Sequence, residues 1–123
     1  EIQLLIQEAT TMVKNEGETV LLQCTYSTTA SYYYLQWYRH YPGKQPEYAI
    51  GRYSADQNQY RGTGFGNRFF AQLQESNSFT SLSISELVVS DSAVYYCAFS
   101  LTTVIDCTGN SAETTITSHQ PVS

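Results

Sequence analysis

An all-β antiparallel sandwich or barrel is the fold class this sequence predicts. Three observations carry it. Several short stretches alternate apolar and polar residues with period two. Turn-forming clusters fall between those stretches. No stretch holds a sustained 3.6-residue apolar stripe, so no amphipathic helix competes with the strands.

Taken in chain order, Val20, Leu22 and Cys24 share the face of a first clear strand, which follows the turn signal Asn15-Glu16-Gly17. Leu35 and Trp37 face one way in the next, with Gln36 and Tyr38 facing the other. Pro42-Gly43-Lys44 closes that strand, and Pro46 and Tyr48 open its successor. Gly62-Thr63-Gly64 precedes a strand in which Phe69, Ala71 and Leu73 share a face. Glu75-Ser76-Asn77 leads to Leu82 and Ile84, and Ser90-Asp91-Ser92 to Ala93, Tyr95 and Cys97. No internal repeat is present.

Composition narrows the class. The chain has 123 residues, room for one domain with its own core. Hydrophobic residues make up 41% and charged residues 14%, which excludes compositional disorder and a coiled coil. With net charge −5 and only 6 Lys+Arg, nucleic acid and anionic lipid are not expected partners. No apolar run reaches the roughly 18 residues of a membrane span. The residues from Glu1 lack a charged n-region and apolar h-region, so the expectation is a mature ectodomain fragment already freed of any signal peptide. Two numbers stand out: 11 tyrosines, and 3 cysteines, of which one is left over if the others pair.

Chemistry-bearing patterns are absent. His40 and His119, the two histidines, sit in unrelated contexts, and no Ser-His-Asp, paired-carboxylate or metal spacing is found. The Gly62-Thr63-Gly64-Phe65-Gly66 run lacks the Lys-Ser/Thr and helix of a phosphate loop. The expectation is a non-enzyme with no cofactor and no metal. Asn77-Ser78-Phe79 and Asn110-Ser111-Ala112 both fail as glycosylation sequons.

Cys24 and Cys97 fall on inward faces with Trp37 between them, and Tyr95 stands two residues before Cys97. A bridge joining two sheets over a buried indole, with a tyrosine hydroxyl bonding back to the corner before its strand, is the immunoglobulin arrangement. Closing so long a loop contributes about 4 kcal/mol on the chain-entropy account. Residues 17–24, residues 37–44, Arg68-Phe69 and the run Asp91-Ser92-Ala93-Val94-Tyr95-Tyr96-Cys97 resemble an immunoglobulin V-set domain, a Greek-key sandwich. Tyr41-Pro42-Gly43-Lys44, Ser78-Phe79 and Cys97-Ala98-Phe99 resemble, more narrowly, a T-cell receptor alpha or delta variable segment. Antibody light chains share much of the pattern.

The resemblance implies a framework of Cys24, Cys97, Trp37, Leu35 and Tyr95, and a charge pair between Arg68 and Asp91 at the base of the sandwich. Tyr38, His40, Pro46, Tyr48 and Tyr96 are expected to form one aromatic, nearly uncharged patch, a partner surface. In the resembling family this face pairs with a second V-domain chain of beta or gamma type. His40 stands where such segments usually carry a Gln, and an imidazole brings a group that titrates near neutrality. Tyr32, Tyr33 and Tyr34, then Tyr53, Asp56 and Asn58 in the second loop, and Phe99 and Ser100 are the expected antigen contacts. Tyrosine supplies rigid, amphipathic area with few rotors, although one of the three consecutive tyrosines is expected to pack inward and brace its loop. Arg52 belongs to the second loop on this reading, and residues 62–66 resemble a fourth variable loop. The implied ligand is peptide, lipid or another antigen on a molecule of the major-histocompatibility type. Signalling subunits would act through regions outside this chain, and the implied location is the extracellular side of the plasma membrane. A non-rearranging innate receptor or co-receptor, and an adhesion domain binding through a sheet face, are the alternatives.

The resemblance covers residues 1–101 and breaks in residues 102–123. A complete V domain carries Phe-Gly-X-Gly in its last strand, and nothing after Cys97 has that pattern. The best alignment puts Thr115-Ile116-Thr117 in the strand and leaves Cys107 as the extra cysteine near the third loop. Thr102-Thr103-Val104 can be encoded ACC-ACA-GTG, which contains the recombination heptamer CACAGTG, and residues 112–115 can encode an A-rich nonamer after a suitable spacer. The expectation is an unrearranged germline segment whose tail is translated flanking DNA. A divergent third loop and last strand is the rival.

Overall fold

A computed structural model describes residues 3–6, 12–54, 56, 58–102 and 115–119, with side chains described for 12–54, 56 and 58–101. Among the described residues, nine strands build two antiparallel sheets. They are β1 (Gln3–Ile6), β2 (Val20–Thr28), β3 (Tyr33–His40), β4 (Glu47–Tyr53), β5 (Tyr60–Arg61), β6 (Phe69–Gln74), β7 (Phe79–Ile84), β8 (Val94–Thr102) and β9 (Thr115–His119). One sheet has the order β1-β2-β7-β6 and the other β5-β4-β3-β8-β9. The neighbours β2 and β7, and β3 and β8, are distant in sequence, so the chain crosses between layers as a Greek key does.

Alternation decides the core. Val20, Cys24 and Tyr26 from β2, Leu35 and Trp37 from β3, Phe69 and Ala71 from β6, Leu82 and Ile84 from β7, and Cys97 and Phe99 from β8 are all buried in one cluster. Cys24 and Cys97 are joined by a disulfide that ties one sheet to the other, with Cα atoms 6.6 Å apart. Trp37 lies opposite Cys97 in the β3–β8 ladder and is fully buried. In β4 the alternation fails. Trp37 pairs with Ile50 but Tyr38 with Tyr48, so Ala49 is an extra residue in a bulge. Ala49 and Ile50 are consequently both buried, and the residues after them change face.

A polar cluster closes the base. Arg68 donates from Nη1 to Asp91 Oδ2 at 2.8 Å and from Nη2 to Oδ1 at 3.0 Å. The same guanidinium reaches the Ser85 and Glu86 carbonyls at 3.1 and 3.3 Å. Asp91 also accepts the Val88 N–H at 2.9 Å, capping the short 3-10 turn Val89–Asp91. The Arg68 guanidinium, helped by that N–H, holds the Asp91 carboxyl below the usual carboxylate range. Tyr95 donates its hydroxyl to the Asp91 carbonyl at 2.6 Å. Burial, with Asp91 nearby, pushes this phenol up to about 12.

Segment 62–66 corrects an expectation. It joins β5 to β6 at the base, away from the end where the β2–β3 and β4–β5 connections meet. Phe65 is buried edge-on against Phe69 at 5.0 Å, with the Arg39 guanidinium 4.5 Å above its ring. Phe69 pairs with Ile84, at the basal end of β7. Residues 75–78, between β6 and β7, lie at the other end instead, where the Ser78 carbonyl accepts the Tyr26 N–H at 3.0 Å. A phenylalanine among the glycines was the available signal, because a solvated loop has no use for a buried ring.

Candidate functional site

The connections after β2 and β4 meet at one end of the sandwich. Ser54 joins them: its N–H donates to the Tyr33 carbonyl at 2.9 Å, and its Oγ accepts the Tyr33 N–H at 3.1 Å and donates to the Ser31 carbonyl at 3.3 Å. Sequence reasoning missed Ser54, since nothing local marks a serine that bonds across 23 positions.

Of the three consecutive tyrosines, only Tyr32 lies in the loop, 49% exposed. β3 begins at Tyr33, which therefore shares parity with Leu35 and Trp37 and points inward at 5% exposure. Its ring stacks on Phe99 at 5.3 Å and meets Tyr26 edge-on at 5.2 Å, and its hydroxyl shares a 2.7 Å hydrogen bond with that of Tyr26. Burial raises both phenols above their ordinary range. Phe99 has the parity of Cys97 and is 1% exposed. Ser100 faces the other way but is covered, accepting from Gln36 Nε2 at 2.7 Å. Tyr33, Phe99 and Ser100 are thus corrected from expected antigen contacts to supports beneath the loops. The alternation that placed Trp37 would have placed the first two.

Tyr34 points outward and stacks on Tyr53 at 4.3 Å, with its hydroxyl bonded to that of Tyr48. Its ring lies across the backbone of Gly51, where an added Cβ would come within 2.5 Å of the Tyr34 hydroxyl. Gly51→Ala should therefore displace the ring and cost about 1–3 kcal/mol. In a thermal-melt double-mutant cycle the pair Tyr34→Ala/Gly51→Ala should lose less than the sum of the single losses.

In the second connection, Asp56 Oδ1 accepts the Asn58 N–H at 2.9 Å, an Asx turn, and Oδ2 accepts the Tyr60 hydroxyl. That bond raises the Tyr60 phenol above its usual value. Asn58, Tyr53 and Tyr60 are exposed and Asp56 half-buried. Arg52, expected in this loop, instead lies in β4 past the bulge and bonds the Ala71 carbonyl of β6 at 3.1 Å.

The tyrosines expected to form a partner patch lie together on the outer face of the five-stranded sheet. Tyr38 stacks on Tyr96 at 5.4 Å and meets Tyr48 edge-on at 5.8 Å. Tyr38 and Tyr48 are half-buried, and Tyr96 is covered by the stack more than expected. The Tyr38 hydroxyl donates to Gln36 Oε1 at 2.6 Å, and that of Tyr48 to the Tyr60 carbonyl at 2.6 Å, so the aromatic surface carries few unmet polar groups. Stacked, tilted and edge-on contacts run from Tyr96 through Tyr38, Tyr48, Tyr34 and Tyr53 to Tyr60, linking sheet face to second loop. Pro46 is exposed beside this face. His40 Nε2 donates to the Lys44 carbonyl at 2.8 Å, engaged by its own turn.

Among the described residues no group of three or more His, Cys, Asp or Glu is placed to hold a metal. Cys107 and His119, the latter in β9 with only its backbone described, contribute no described side chain; Cys107 lies outside the described residues altogether. The geometry sets two surfaces side by side, one of loops and one of aromatic sheet.

Residues 7–117 match the family described as the immunoglobulin V-set domain. The human T cell receptor alpha variable 38-1 is 36% identical over 97 residues, 79% of this chain and 80% of that protein. The human T cell receptor alpha variable 38-2/delta variable 8 shows the same identity and coverage. The mouse immunoglobulin iota chain is 36% identical over 87 residues, 69% of this chain and 61% of its own.

Proposed function

The chain belongs to the immunoglobulin V-set family and has the role of a T-cell receptor variable domain in antigen recognition, paired with a second V-domain chain; from that premise we propose which residues do the pairing and which meet the antigen. Tyr38, Tyr48 and Tyr96, with His40 and Pro46 at the rim, form the pairing face for a V domain of beta or gamma type. The observation that carries this is the stack of Tyr38 on Tyr96 with Tyr48 edge-on beside it. It is a partly exposed aromatic surface with the Tyr38 and Tyr48 hydroxyls already bonded inside the chain. Tyr32, Tyr53, Asp56 and Asn58 meet an antigen held by a molecule of the major-histocompatibility type, while Tyr34 props Tyr53. The domain binds and does not catalyse, and it works on the extracellular side of the plasma membrane, where a disulfide persists. No helix among the described residues is long and apolar enough to cross a membrane.

Sedimentation of this chain mixed with beta-type and gamma-type V domains tests the pairing. Tyr38→Asp places an unpaired charge in the centre of the patch and should weaken association by about 2 kcal/mol or more, roughly thirtyfold in Kd. Pairing that survives Tyr38→Asp at full strength overturns the assignment.

For residues 102–123 we infer translated flanking DNA, supported by the missing Phe-Gly-X-Gly. Pairing of β9 with Ala98–Thr102 of β8 is compatible with this, because an open sheet edge accepts an extended segment through main-chain hydrogen bonds alone. The nucleotide sequence decides: a gene without CACAGTG across codons 102–104 overturns the inference.

A further inference from the structure

The outer edge of the four-stranded sheet is closed by side chains where another strand would otherwise add. β6 is the terminal strand of that sheet and pairs with β7 along one edge only. On its free edge the Phe69 carbonyl accepts from Arg61 Nε at 3.1 Å and from Arg61 Nη2 at 2.9 Å. The Ala71 N–H donates to Gln59 Oε1 at 2.6 Å, and the Ala71 carbonyl accepts from Arg52 Nη1 at 3.1 Å. The Phe69 N–H is taken by the Gly66 carbonyl at 3.1 Å. Arg52 comes from β4, and Gln59 and Arg61 from β5 and its approach, so all three reach over from the opposite sheet. Each occupies a backbone group that an added strand would need.

The strand so covered reads Phe-Phe-Ala-Gln-Leu-Gln. It has no charge, no glycine and no proline, which is the composition that pairs with its own copies when its edge is open. Antiparallel pairing of two such edges about a twofold axis is self-complementary. We propose that Arg52, Gln59 and Arg61 form a clasp that withholds the β6 edge from a second copy of this chain, and that opening it makes the edge a homotypic docking site held by backbone hydrogen bonds. β5, which carries Arg61, is held to β4 by two residue pairs, so the Gln59 and Arg61 arms of the clasp open without unfolding the core.

Amide hydrogen exchange and sedimentation velocity test this. In Gln59→Ala the Ala71 amide should exchange about tenfold faster than in the parent, as loss of one hydrogen bond implies. Gln59→Ala/Arg61→Ala should associate with rising concentration where the parent does not. Adding Phe70→Lys, a charge on the exposed side of the same strand, should return it to the parent's behaviour. A double variant that sediments like the parent overturns the proposal, as does association that persists with Phe70→Lys. If the double variant does not fold, Gln59→Ala alone decides, because unchanged exchange at Ala71 overturns the clasp.

Discussion

Replacing Cys24 and Cys97 together by alanine, in a Cys107→Ser background that leaves no thiol to exchange, lowers the free energy of unfolding by about 4 kcal/mol. The disulfide spans a sequence separation of 73 residues, so its absence lets the unfolded chain explore far more conformations. Both cysteines are buried against the core, and the small voids left by the sulfurs add to the loss. Against a total stability of about 5–15 kcal/mol for a domain, this is a large fraction of what holds the fold. Urea titrations should show a lower midpoint together with a larger m value, since the unbridged chain exposes more surface on unfolding. An unchanged m value would place the effect in native packing instead of the unfolded state.

Asp91→Asn is expected to cost about 2 kcal/mol at neutral pH. The carboxylate receives two hydrogen bonds from Arg68 and one from Val88. An amide can accept at only one of those oxygens. The Arg68 side chain remains 32% exposed, so water recovers part of the loss and the cost stays below the 3–5 kcal/mol typical of breaking a fully buried pair. The sign of the pH dependence follows from the direction of the shift. The folded carboxyl ionises below its unfolded value of about 3.9, so the contribution is complete above that pH. It falls away as the pH drops through the lower, folded value. The stability gap between parent and Asp91→Asn should be constant from neutrality to about pH 5 and shrink below about pH 4. Equal pH slopes for the two proteins would show that Asp91 is not held low.

The disposition of individual residues shows how far alternation carries. Leu35 and Trp37 are inward and Tyr38 outward in both sequence and structure, because strand parity is local. Tyr33 and Phe99 obey the same parity, which prevails over the loop limits that the resemblance implies. Arg52 is different. The extra residue Ala49 in β4 reverses the parity after Tyr48, and a bulge leaves no mark in a single sequence. Ser54, Gln59 and Arg61 carry no local signal either, since their partners lie in other strands.

The sequence alone determined the class of fold, the two faces of most strands, the Cys-Trp-Cys centre and the aromatic character of the proposed pairing face. Period-two patterning and turn chemistry are written residue by residue. Only the tertiary structure decided which of the eleven tyrosines stay available, which end of the sandwich each loop occupies and how the β6 edge is covered. Those depend on the register between strands and the stacking of two sheets, which sum contacts between residues far apart in the chain. The tyrosine surplus therefore divides three ways: buried braces, a half-covered sheet face and a few exposed rings at the loops.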